Sequence, residues 1–337
     1  MSFAIASGNI LWKIEEDAFD NKRDLRSQWK VIGEYEWSLF RPSLDRRKIT
    51  LSCRPVGGQE GKLWRCDAFG IIALLGFDPT VRIVSKWDSG FCGLNHECEE
   101  EVINAKLDTD PDPLRFKAKH RLQGKRYCYE ASITIVRSMC VDLFNSSNLF
   151  VYSPKDTVCV VVENRKLWVS KAQLSDSSIY FKGFFHSENN RKENLYILDD
   201  VLFDEFMSFL VFVYISYFGN IEIPMERIRL ALGLSVKFQS DVVAIACQDK
   251  LLLSVVKFDQ EHLALADQFN LFSFREKVIE SLEISSLEDY VEKNIDDQAC
   301  FVTRILAVKR LEDAHKAKAL QPNAISSPPR RKRKLSR

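Results

Sequence analysis

The chain has 337 residues, 46% of them hydrophobic and 28% charged, with 48 basic side chains against 47 acidic. That length allows two domains and a third small one, and the composition is that of a globular chain rather than a collagen-like or disordered one. Six basic residues crowd into positions 328–337, so the rest carries 42 basic against 47 acidic side chains, a mildly acidic body that argues against a specific nucleic-acid-binding domain. Nine cysteines, odd in number and spread from Cys53 to Cys300, fit reduced thiols in an intracellular protein better than a disulfide framework. No basic start followed by an apolar stretch opens the sequence, so no secretory leader is expected. Residues 207–218 are strongly apolar but shorter than the ~20 residues a bilayer requires, which predicts a buried helix and no membrane partner.

From residue 11 to 136 the pattern is all-β. Strands are expected at 28–32, 36–40, 49–54, 62–69, 71–75, 81–87, 114–121 and 131–137, separated by turn clusters such as Pro55-Val56-Gly57-Gly58 and residues 108–113. This is the spacing of a β-sandwich. Five of the six tryptophans fall here, and aromatic residues at strand periodicity belong mostly to a core; Trp37, Trp87 and Phe91 stand out as loop-adjacent anchors for a bound peptide. Cys92, His96 and Cys98 lie within seven residues but lack the paired spacing and fourth ligand of a zinc site, so no metal is expected. His120 falls on the surface side of an alternating strand.

The middle of the chain changes period. Residues 157–162 form a β-branched apolar run, 163–166 a polar turn and 167–169 a second apolar run, which predicts a hairpin. Ser170 is placed to cap a helix through Ala172 and Leu174. Ser177 or Ser178 is placed to cap a second, carrying Tyr180, Phe181, Phe184 and Phe185. A strand at 195–198 follows, then a helix at 202–214 with Phe206, Phe209, Leu210 and Val213 on one face, and helices at 225–238 and 241–253. Residues 260–280 repeat the flavour of 231–243, leucine and alanine ending in a Lys/Gln-Phe-Gln/Asn turn. A last helix is expected at 295–320, with Phe301, Ile305, Val308 and Leu311 along one face. His186 and His262 have no triad-like company, and the 13 glycines form no phosphate loop, so neither catalysis nor a cofactor is expected.

Residues 156–185 resemble the BTB (POZ) domain in spacing and residue type together. The resemblance rests on Asp156 before the first strand, the strand pair, the Val-Ser-Lys-Ala-x-Leu helix start at 169–174, and the Ser-x-x-Phe-x-x-x-Phe helix from Ser178 to Phe185. Trp168 stands where the family usually has His and is expected to fill that core position. Asp156, Trp168, Leu174 and Phe181 are thereby assigned to the BTB core or dimer interface. The front third is similar to a divergent MATH domain, through residues 49–53, Leu63-Trp64-Arg65-Cys66, residues 87–91 and Ser132-Ile133-Thr134-Ile135. It lacks a match to that family's peptide groove, so no binding residues carry over.

The resemblance implies an α+β chain: a MATH-like β-sandwich at 1–145, a BTB/POZ α/β domain at 150–253, a BACK-like helical extension at 254–312 and a disordered basic tail at 313–337. It further implies a homodimer through the BTB domain, an unknown protein target for the sandwich, and a second surface that engages a cullin scaffold of a ubiquitin ligase. On this chain that surface corresponds to Phe184, Phe185, His186, Glu188, Tyr217 and Phe218. The hydrophobic-x-acidic element that such adaptors often show is missing from the segment His-Ser-Glu-Asn-Asn-Arg-Lys-Glu-Asn at 186–194. The run Arg330-Arg331-Lys332-Arg333-Lys334 reads as a nuclear import signal, with nonspecific phosphate or acidic-partner binding as the alternative. Nucleus and cytoplasm both stay open. So do two roles: a substrate adaptor for a cullin-based ligase, or a nuclear scaffold or transcriptional cofactor that dimerises through its BTB domain.

Overall fold

The structure is a computed structural model that describes residues 6–14, 24–42, 48–75, 82–93, 97–101, 127–151, 153–186, 195–219, 221–255, 257–294 and 301–320. It divides into two compact units, residues 1–247 and 248–337.

The first unit begins with strands β1 (Ala6–Ile14), β2 (Leu25–Arg26), β3 (Lys30–Ile32), β4 (Tyr35–Arg41), β5 (Lys48–Pro55), β6 (Lys62–Leu75), β7 (Arg82–Cys92), β8 (Glu97–Glu101) and β9 (Tyr127–Asp142). One antiparallel sheet runs β1-β9-β6-β7; the other runs β2-β4-β5-β8, with β3 also paired to β4. Alternation sends Tyr35, Trp37 and Leu39 of β4 into the space between the sheets, where they meet Trp64, Trp87, Phe91 and Tyr129. The edge of the Phe91 ring meets Trp37 at 5.1 Å between centroids. Trp37, Trp87 and Phe91 are therefore the centre of the core and not exposed anchors. The runs 62–69 and 71–75 form one strand, passing through Gly70 with a bulge between Asp67 and Ala68. The strand expected at 114–121 lies outside the described residues.

The same unit continues with β10 (Thr157–Val162), β11 (Arg165–Ser170), α1 (Lys171–Ser177), α2 (Ile179–Phe184), β12 (Leu195–Leu198), α3 (Phe203–Val213), α4 (Ile215–Phe218), α5 (Met225–Lys237) and α6 (Asp241–Ser254), the last of which runs into the second unit. β10 pairs antiparallel with β11 and parallel with β12. Glu163 and Asn164, both at positive φ, make the two-residue hairpin turn whose twist suits the strands. Phe181, Phe206, Phe209 and Phe238 pack together as the core of this part.

The sandwich and the following fold are docked, not strung. The Leu143 N–H donates to the Gly61 carbonyl at 2.8 Å, and the Trp168 N–H donates to the Leu143 carbonyl at 2.7 Å. Asn148, buried in the connecting turns, donates from Nδ2 to the carbonyls of Trp168 and Asn145 at 2.8 and 2.9 Å. Its Oδ1 accepts from the Phe150 N–H at 3.0 Å, and the Phe150 ring stacks on Tyr214 at 4.0 Å. Arg165 ties the hairpin to Glu60 at 3.0 Å and lies over the Phe203 ring.

The second unit contains α7 (Gln260–Gln268), α8 (Phe272–Ser281), α9 (Ile284–Lys293) and α10 (Phe301–Leu320). The α7–α8 turn repeats the α5–α6 turn: Gln239 and Asn270 take positive φ, and the N–H groups of Ser240 and Leu271 reach back five residues to the carbonyls of Ser235 and Ala266. Buried Asp267 holds the bundle together. It accepts from Arg275 Nε at 3.0 Å, from the Tyr290 hydroxyl at 2.6 Å and from the Thr303 hydroxyl, so one carboxylate joins α7 to α8, α9 and α10. The final helix ends at Leu320, where the last expected helix ends, and so runs beyond the domain boundary expected at 312. The basic run Arg330 to Lys334 lies outside the described residues.

Candidate protein-interaction surfaces

Asp156 organises the start of α1 by three bonds. Its Oδ2 accepts from the Ser170 hydroxyl at 2.6 Å, its Oδ1 from the Ala172 N–H at 2.7 Å, and its backbone carbonyl from the Lys171 N–H. Ser170 in turn accepts from the Gln173 N–H as the N-cap. Of the two candidates for the next cap it is Ser178 that serves, accepting from the Phe181 N–H at 3.1 Å and donating to the Phe238 carbonyl at 2.5 Å. The Ser240 hydroxyl donates to the Ser177 carbonyl, so the α1–α2 corner is fastened to the α5–α6 corner.

This corner has a polar and an apolar aspect. Asp156, Ala172, Gln173, Asp176 and Val242 line a shallow depression of about 470 Å³. Nearby Ile179 is 68% exposed, and Val242 and Ile245 of α6 are also exposed. Leu174 and Phe181 beneath it are fully buried. Trp168 is only half-buried, because it alternates along β11 with fully buried Leu167 and Val169 and its side chain leaves the opposite face of the strand.

The six residues assigned to a partner surface are split. Phe184 is half-buried at the end of α2, stacked on Tyr180 and near Tyr196. His186 is exposed, with Nδ1 2.5 Å from the Lys182 carbonyl. Phe185 is buried between Phe181 and Tyr196, so it is core and offers no contact surface. Glu188 lies outside the described residues. Tyr217 and Phe218 point elsewhere: the Tyr217 ring packs on Phe150 and its carbonyl accepts from Arg137 Nη2 at 3.3 Å, while Phe218 is buried on the side of α4 that meets the sandwich. The resemblance had grouped these aromatics without showing which neighbour each would meet.

Chemistry at the buried thiols is damped. Burial, and then the hydrogen bond with Cys66, push the Cys53 thiol well above its ordinary value, and burial pushes Cys159 up as well. Among the described residues no cluster of His, Cys, Asp or Glu is arranged to hold a metal ion, and no helix is long and apolar enough to cross a membrane. His96 and His120 lie outside the described residues. The Asp267 cluster was invisible in sequence, since its four members are spread over 36 positions and share no motif.

Comparison with known proteins agrees with the geometry. Residues 152–254 match the BTB/POZ domain family. The chain is also similar to BTB and MATH domain-containing protein 38 of Caenorhabditis elegans, at 22% identity over 326 residues that cover 92% of this chain and 77% of the relative. With its hairpin, capped helix pair and parallel third strand, the chain carries a BTB/POZ domain at residues 152–254, set behind a MATH-like β-sandwich.

Proposed function

We propose that this protein is a non-enzymatic adaptor that dimerises through its BTB domain, selects a protein target with its sandwich and delivers it to a cullin-based ubiquitin ligase. The observation that carries this reading is the BTB/POZ domain at 152–254 combined with a sandwich docked directly onto it, in a chain similar along most of its length to a BTB and MATH domain-containing relative. Such a protein accelerates a reaction it does not perform, by holding substrate at high effective concentration near the ligase. Two copies would present two sandwiches and raise avidity for a repeated target.

The dimer surface in this reading is the corner of α1, α2 and α6, where Ile179, Val242 and Ile245 are exposed near the Asp156 depression. The cullin surface is the end of α2, with Phe184 and His186 as contacts. Buried Phe185 supports it from behind. The basic run at Arg330–Lys334 suits import into the nucleus as the place of action.

The test is a titration of the full chain against the amino-terminal region of a BTB-binding cullin, with mass followed by light scattering. Saturable binding by a dimer is expected, lost in Phe184→Ala/His186→Glu and retained by the monomeric variant Ile179→Asp. A dimer that ignores the cullin would refute the adaptor role.

A further inference from the structure

We draw no further inference here: the strongest candidate, the exposed apolar face of α10 made by Phe301, Val302, Ile305 and Val308, carries nothing because no feature of the structure shows what covers it.

Discussion

Asp267 shows how much a single side chain can organise. It and Arg275 are almost wholly buried, and each is satisfied by more than the other: the carboxylate also accepts from Tyr290 and Thr303, while Arg275 Nη2 donates to the Ala266 carbonyl. Removing one member of such a set leaves the others desolvated and unpaired. Asp267→Ala should destabilise the helical unit by about 3–5 kcal/mol, read by denaturant unfolding and by hydrogen exchange in α8 to α10. Cys53 makes a different kind of prediction. Because burial and Cys66 raise its pKa, the folded thiol stays protonated where an unfolded thiol, near its usual ~8.5, ionises. The folded chain then holds more protons, so stability is intact below about pH 8.5 and falls as pH rises above it. Iodoacetamide at pH 8 should leave Cys53 unmodified until denaturant is added, as mass spectrometry of the peptide would show.

Among the elements, what could be read in advance depended on whether the signal was local. The hairpin turn, the Ser170 cap, the strand Leu195–Leu198 and the repeated Phe-Gln/Asn turns are each set by neighbouring residues, and each forms where expected. β8 reads Glu-Cys-Glu-Glu-Glu and offers no apolar alternation; it is a strand because β5 supplies the partner. β1 and α9 were missed as well. Trp37, Trp87 and Phe91 were legible as strand aromatics, but period alone does not say which face of a sheet is covered. Phe185 and Phe218 were assigned to a partner surface through the resemblance, and both are buried. At Gly70 the sequence suggested a break where the structure has continuous β6. Glycine is needed there because a Cβ would lie 1.8 Å from the Ser132 carbonyl oxygen, a clash with backbone that no rotamer relieves. Gly70→Ala should cost at least about 3 kcal/mol, at the upper end for overpacking, visible as a large drop in Tm.

At the level of the whole molecule, the docking of sandwich on BTB fold depends more on a buried amide than on the surface ion pair. Arg165 and Glu60 are both substantially exposed, so Arg165→Ala should cost at most about 1 kcal/mol. Asn148→Ala removes both Nδ2 bonds and the acceptor for Phe150, and should cost about 1–3 kcal/mol or more. Hydrogen exchange at the Leu143 and Trp168 amides separates the two cases: Asn148→Ala should accelerate both, while Arg165→Ala should leave both protected. Equal protection in the two variants would return the joint to the ion pair. The existence of the two folds was readable from residue types; the joint between them was not, because it is made by backbone groups and an asparagine.

The pairing of β1 with β9 also sets a timetable for the nascent chain. Ala6 finds its partner Ile135 only about 130 residues later, which at ~5–20 residues per second is about 6–26 seconds of translation. Through that interval the first strand has left the ribosome with its hydrogen-bonding edge unsatisfied and half its first sheet unmade, a condition that invites wrong pairing. The hairpin at Thr157–Ser170 closes within a few residues of its own synthesis. Ribosome-bound chaperones should therefore engage this chain early and release it once residue 142 has emerged, and slowing translation beyond that point should do little to its yield.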